Sequence, residues 1–437
     1  MSSSSEWDMK FLSEWDDKIA KLAESEGLDW FPINYEVCDY YSMIGHMSYH
    51  GMPSYYGHWS FGKAFERTHQ MYNMGAEGLP YELIINSNPS IAYLMRENPA
   101  YLQLLIMCHC VGHSDFFKNN RMFQNTRPEA VIQRFRSAKK RIQAYVENPN
   151  IGIEKVEKIM DAAHAIQFQI PRYPVRRVSH KELKQKYIDL INNDEHDDYK
   201  DFDLTRIPLE PEYDILGFLL EHARLDEWKR DIIEIVKVHS AYFVPQMQTK
   251  IMNEGWASFW HYRLMHKLEV PQEYHIPFLK SHNQVIRPHI GGLNPYHVGF
   301  EMFRRIEERH GIEECFLARE TCHDVSFLRQ YLTQEDCYDL GLFSFSLKKD
   351  KYTIDDISDE DGWKTIRESL LRNVGTNGIP VIYVEQVEDS NILTLKHEHD
   401  GRDLELQHAD EVVTHVSELW GDIVKLYTNI EGDTWEI

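Results

Sequence analysis

The chain has 437 residues, 42% of them hydrophobic, and a net charge of −23, which suits a large packed core in two or three domains rather than a disordered chain. Charge of that sign repels phosphate backbones and anionic lipid, so no nucleic-acid partner is expected, and the absence of any apolar run of about 18 residues predicts no membrane span. The opening Met1-Ser2-Ser3-Ser4-Ser5-Glu6-Trp7-Asp8 has neither a basic nor an apolar leader segment, which argues against secretion.

In chain order, residues 1–24 read as a disordered serine cap and an acidic amphipathic helix, with Trp7, Phe11, Trp15, Ile19 and Leu22 on one face. Residues 25–80 are rich in aromatics, glycine and proline and predict short helices joined by ordered loops. Longer helices are expected over 89–120 and 127–168. The charged stretch 172–208, with Asn192-Asn193-Asp194-Glu195-His196-Asp197-Asp198, reads as a solvated excursion or lid. Three helices follow at 212–224, 226–240 and 246–267, punctuated by Pro208, Pro211 and Pro245. A loop at 286–296 precedes a further helix over 295–309. Near residue 340 the pattern changes to strand alternation at 342–347, 379–384, 392–397 and 422–428, mixed with helices at 361–372 and 408–419. The resulting fold class is a mainly α multi-helix domain with a zincin-like arrangement as one form of it, followed by a small α+β C-terminal domain. The division is 1–24, 25–335 and 336–437.

The six cysteines form no C-x-x-C pair, so neither a disulfide scaffold nor a four-cysteine zinc site is indicated. The densest chemical signal is Met107-Cys108-His109-Cys110-Val111-Gly112-His113-Ser114-Asp115. It continues the apolar run Leu102, Leu104, Leu105 and Ile106 and therefore lies on a buried helix. His109 and His113 are one turn apart on one face, the spacing with which two imidazoles hold one metal ion. Cys110 stands where an H-E-x-x-H helix has its glutamate, so the usual general base is absent there. Asp115 is the nearest carboxylate, a candidate base or orienting group. Gly112 would admit another backbone or a substrate. The competing reading is two core histidines bonded to carbonyls or acids.

A second apolar helix carries Asn253-Glu254-Gly255-Trp256-Ala257-Ser258-Phe259-Trp260-His261. Burying Glu254 among these neighbours is costly without a cation or metal, and Asn-Glu-Gly-x-Ala is similar to the segment that supplies the glutamate ligand of gluzincin metallopeptidases. His261, seven residues on, lies at nearly the same helical angle, so two helices would offer His109, His113, Glu254 and His261 to one cavity. The alternative is a structural Glu–His or Glu–Lys pair that braces two core helices, with Lys250 as a candidate partner of Glu254. Glu221, His222, Glu234 and His239 are further potential ligands for a dinuclear carboxylate–histidine site, although the Glu-x-x-His spacing of such sites is missing. His58-Trp59-Ser60-Phe61-Gly62-Lys63 reads as a structural loop, and His397-Glu398-His399-Asp400-Gly401-Arg402 as a strand end entering a hairpin turn. His289 and Asn294-Pro295-Tyr296 are candidates for a cavity mouth.

These segments, together with Gly51-Met52-Pro53, His113-x-Asp115-Phe116-Phe117-Lys118-Asn119-Asn120 and Asp324-Val325-Ser326-Phe327, resemble the stage V sporulation protein R family collinearly from about residue 26 onward. The resemblance implies a cytoplasmic bacterial protein linked, in spore formers, to the peptidoglycan cortex. It implies no settled reaction. The function expected from the residues is a metal-dependent hydrolase with zinc, or alternatively iron, held by His109, His113 and Glu254. His261 or Asp115 would act as base or orienter, on an amide or peptide substrate that is peptidoglycan-related by the family link. The rivals are a regulatory or scaffold protein whose acidic surface takes a basic protein partner, and a dinuclear iron oxidoreductase.

Overall fold

A computed structural model describes residues 7–73, 82–173, 178–192, 203–289, 292–342, 344–348, 351–356, 362–388 and 390–437. The expected serine cap, Pro174, most of the acidic run after Asn192 and Phe343 lie outside them. Along the chain run α1 (Met9–Ser25), β1 (Ile33–Cys38), α2 (Tyr40–Ser48), α3 (Trp59–Asn73), β2 (Glu82–Ile85), β3 (Ser90–Met95) and α4 (Ala100–Asn119). Next come α5 (Val131–Glu147), α6 (Ile153–Ala165), α7 (His180–Asn192), α8 (Ile215–His222) and α9 (Glu227–Gln248). The third group is α10 (Lys250–Lys267), α11 (Gln272–Val285), α12 (Pro295–His310), α13 (Ile312–Thr321), α14 (Asp324–Tyr331) and α15 (Gln334–Asp339). The chain ends with β4 (Ser344–Lys348), β5 (Lys351–Asp356), α16 (Gly362–Asn373), β6 (Ile382–Val387), β7 (Leu393–His397), α17 (Leu406–Trp420), β8 (Val424–Ile430) and β9 (Asp433–Glu436). The protein is thus mostly helical, with a small sheet region near its C-terminus.

Two compact units interleave along the sequence. One comprises Met1–Lys139 with Pro245–Gly378, the other Lys140–Val244 with Ile379–Ile437. The boundaries fall inside α5, inside α9 and between Gly378 and Ile379. Pro245, read as a break, lies within α9, and the break comes instead at Thr249.

In the first unit α4 is buried along nearly its whole length, from Leu102 to Phe117, as an all-round apolar helix must be. α10 is buried from Ile251 to His261. Close approach of these two helices is set by residues without bulk. A Cβ on Gly112 of α4 would lie 2.7 Å from the Ala257 Cα of α10, and one on Gly255 of α10 would lie 2.4 Å from the Gly299 Cα of α12. Only hydrogen at those positions permits the backbones to touch. α1 covers this core with Leu12, Trp15, Ile19 and Ala23, and its start is capped by Asp8, which accepts from the Phe11 amide at 2.8 Å.

Beside α4 sits a sheet of order β1-β3-β2, with β1 parallel and β2 antiparallel to β3. Here the sequence expectation is corrected. Residues 33–38 are a strand rather than part of a loop between helices, and the helix expected from 89 begins only after Pro99. The pairing partner of β3 is more than fifty residues away in sequence, a non-local contact that supplies order that periodicity in a six-residue run cannot announce. Ser114 Oγ on α4 donates to the Phe31 carbonyl at 2.9 Å, linking the helix to the chain just before β1. Of the segment read as a loop, Trp59–Lys63 instead open α3, and His58 just before it meets Ser60 Oγ with its Nδ1 at 2.7 Å.

The second unit carries a sheet of order β6-β7-β8-β9. β7 and β8 are parallel and are joined through α17, so the His397–Arg402 segment leads into a crossover helix and not into a hairpin. His397 Nδ1 meets Thr428 Oγ1 at 2.9 Å, and His399 Nε2 meets Asp403 Oδ1 at 2.9 Å. α7, within the expected excursion, has no buried residue.

Candidate metal centre

α4 and α10 run antiparallel through the core of the first unit, as three pairings show. His113 of α4 meets Asn253, Gly112 meets Ala257, and His109 meets His261. This arrangement places Glu254 opposite the two imidazoles. Its Oε2 lies 3.3 Å from His113 Nε2 and 3.7 Å from His109 Nε2. It has no aligned hydrogen bond there. Four ligands at about 2.0–2.1 Å from a tetrahedral ion stand about 3.3 Å apart, so the separations suit a shared cation. Among the described residues, His109, His113 and Glu254 are the group whose ligand atoms gather in this way, and all three are buried.

The other polar atom of each residue is engaged outward. The Asn253 side-chain amide oxygen Oδ1 lies 2.8 Å from His113 Nδ1; it can only accept, so that nitrogen carries the proton and Nε2 presents its lone pair. His109 Nδ1 lies 2.9 Å from His261 Nδ1, and His261 Nε2 lies 2.7 Å from His282 Nδ1 on α11. Lys250 Nζ donates to Glu254 Oε1 at 2.5 Å. Burial by itself would raise the Glu254 carboxyl, but Lys250 and the two imidazoles outweigh it and hold the group well below the usual range. Burial, reinforced by neighbouring imidazoles, pushes His261 well below the ordinary histidine range and His282 down to about 4.

Asp115 is not turned toward the cluster. Its Oδ1 accepts from the Asp29 amide at 2.9 Å and its Oδ2 from Trp256 Nε1 at 2.8 Å, with Arg319 Nη1 at 3.6 Å. Two residues beyond His113, it leaves the helix on another face and braces α4 against α10 and the segment before β1. His261 stands beside His109, as an orienting residue would, and not at Glu254. Two helical turns from Glu254 place it one turn lower on α4, against His109. Cys108 and Cys110 are buried in the core, and burial pushes the Cys108 thiol up. Glu221, His222, Glu234 and His239 belong to the second unit. Of the proposed mouth, Asn294 caps α12 by accepting from the Tyr296 amide at 3.0 Å, His289 is exposed, and the Tyr296 ring stacks 6.3 Å from that of His109.

Sequence reasoning missed His282, which carried no signal beyond being one of many histidines. It also assigned nothing to Asn253, although that residue stands inside the Asn-Glu-Gly run. A third omission is Asp324, whose carboxylate receives the Ile251 and Met252 amides at 2.9 Å each and so caps the start of α10. Burial raises Asp324 to about 7 against the pull of those amides.

A mainly helical protein with two imidazoles and a carboxylate converging between antiparallel core helices is the class that fold and site define. The chain belongs to the SpoVR family. The family model described as "SpoVR like protein" matches residues 6–379, and that described as "SpoVR-like C-terminal domain" matches residues 379–431. The chain is similar to "Uncharacterized protein YcgB" of Escherichia coli (strain K12), at 32% identity over 489 residues, covering 100% of this chain and 95% of the relative. No solved structure matches it. Among the described residues, no helix is long and apolar enough to cross a membrane.

Proposed function

We propose that His109, His113 and Glu254 hold one divalent metal ion, zinc by ligand type with iron as the alternative, and that the protein is a cytoplasmic metal-dependent hydrolase of an amide or peptide bond. The observation that carries this reading is the convergence of three ligand atoms whose residues each have their second polar atom engaged elsewhere. Such a set binds through one atom per residue and leaves a fourth position for water. The zincin-like element of the proposal is this ligand pattern, an H-x-x-x-H helix with glutamate on the next core helix. A bound metal supplies an acidified water and polarises a carbonyl.

The chain's own groups do the rest. Asn253 and His261 orient the imidazoles. Lys250, whose side chain is 56% exposed while its Nζ reaches buried Glu254, marks the side from which solvent approaches, and its charge lies 5.9 Å from the Tyr296 ring. A cation there favours an oxyanion developing on a polarised carbonyl. Peptidoglycan-derived peptides are the substrates to try first, on the strength of the family link to the spore cortex.

The Lys250–Glu254 pair also favours a second reading, a scaffold in which the lysine alone neutralises the carboxylate and the acidic surface takes a basic protein. Metal analysis of protein purified without chelators or tag-derived metal separates the two. One metal per chain, lost in Glu254→Gln, supports the centre. No stoichiometric metal, with melting indifferent to EDTA, supports the scaffold. Two metals per chain and a coloured protein would instead support the dinuclear iron rival.

A further inference from the structure

His109, His261 and His282 form an unbroken line of imidazoles leading away from the cluster, with ring nitrogens 2.9 Å and 2.7 Å apart. We propose that this line is a proton-ordered chain in which His282, which touches neither Glu254 nor His113, is a positioning residue that holds His109 with Nε2 bare toward the cluster. The inference rests on the metal reading above, since it takes His109 as a ligand.

Each nitrogen–nitrogen contact needs one hydrogen between its partners, and an uncharged imidazole has one to give. Fixing one ring therefore fixes all three. With His109 Nε2 free to ligate, its hydrogen is on Nδ1 and points at His261 Nδ1. His261 then carries its hydrogen on Nε2 and donates to His282 Nδ1, and His282 keeps its own on Nε2. The reverse order puts a hydrogen on His109 Nε2, facing Glu254 Oε2 at 3.7 Å, and closes the cluster to an ion. His261 and His282 are 0% and 1% exposed, so water does not substitute for either partner. The His282 ring is also walled by Tyr262, Phe300 and Phe278, with centroids at 4.7, 5.0 and 6.2 Å, which prevents it from swinging out of line.

Two measurements on the full chain test this. In zinc-loaded protein with 15N-labelled histidine, long-range proton–nitrogen spectra should show His109 protonated on Nδ1 and His261 and His282 on Nε2; His261 protonated on Nδ1 overturns the chain. Zinc affinity, read by competition with a chromophoric chelator, should fall about 10–100-fold in His282→Leu. In His282→Asn it should stay near wild type, because the amide oxygen stands where Nδ1 stood and accepts the same hydrogen. Wild-type affinity in a folded His282→Leu also overturns the chain while leaving the metal centre standing. A wild-type protein that takes up no zinc defeats the metal reading, and the chain with it. Should His282→Leu fail to fold, the spectra of the wild-type protein decide alone.

Discussion

Adding one methyl group at Gly112 tests whether helix spacing sets the site. The new Cβ would stand 2.7 Å from the Ala257 Cα, 3.4 Å from its Cβ and 3.5 Å from its amide nitrogen. Carbon atoms settle about 3.5–4.0 Å apart, so α4 and α10 must separate by about 1 Å, and no side chain can swing aside because the nearest atom is backbone. Gly112 lies between His109 and His113, and Ala257 lies one turn from Glu254. The gap therefore opens where the imidazole-to-carboxylate distances are 3.3 and 3.7 Å. A metal site tolerates about 0.2 Å of error in its bonds. The expected outcome for Gly112→Ala is a loss of about 1–3 kcal/mol in unfolding free energy, with at least about tenfold weaker zinc binding. Urea denaturation with and without zinc, together with competition titration, reads both quantities. A folded Gly112→Ala with wild-type zinc affinity would show that contact between these helices does not govern the ligand distances, and the argument from packing to site would fail.

Lys250→Met leaves Glu254 Oε1 buried without its donor, which should cost the metal-free protein about 1–3 kcal/mol and enlarge the rise in Tm on adding zinc; equal melting of both proteins without metal would refute the pairing. EDTA should lower the Tm of protein isolated with metal, and zinc in excess should restore it, since an ion that binds only the folded state stabilises it by mass action; calorimetric scans check this. Asp115 and Asp324 are raised by burial to about 6 and about 7 from an ordinary 3.8. Between those limits the folded chain keeps protons that the unfolded chain releases, so these groups make stability fall as pH rises from about 4 to 7, by up to about 1.4 kcal/mol per pH unit for each carboxyl. Urea midpoints at pH 5 and pH 8 should differ less in Asp324→Asn than in the wild type, and an unchanged difference would count against the Asp324 contribution.

The parts of this molecule that sequence pattern reveals are those in which local and global demands agree. α4 and α10 are apolar around their whole circumference, and polar residues inside such helices stand out because they need partners. That is why His109, His113 and Glu254 could be read together. Lys250 was visible because it stands one turn before Glu254, the spacing at which helical side chains pair. β1 and β3 were not, because Ser90–Met95 is a short apolar run that reads equally well as the start of the helix beyond Pro99, and its parallel partner lies far back in the chain. Similarly, the strand ending at His397 suggested a hairpin because Asp400-Gly401 is a turn pair. The partner strand is β8, beyond α17, and nothing within the segment itself discloses that crossover.

The positions of His261 and Asp115 have a common geometric source. Helical angle alone groups His261 with Glu254, but angle says nothing of distance along the axis. Seven residues amount to about 10 Å, more than the span of any single ion's coordination shell. Antiparallel packing turns that distance into a specific pairing, His261 with His109 and Asn253 with His113, and of the two roles expected for His261, base or orienter, this pairing favours the orienter at the proposed centre. Asp115 shows the complementary case. Its nearness in sequence to His113 suggested a base, yet two residues of helix rotate it away, and the carboxylate serves the Trp256 indole and the Asp29 amide instead. With both of those groups engaged in positioning, and Cys110 where a metallopeptidase helix has its glutamate, Lys250 is a charged side chain that stands, partly exposed, beside Glu254. The hydrolase proposed for this centre would therefore stabilise a developing oxyanion with the Lys250 ammonium group, and water activation would fall to the proposed metal.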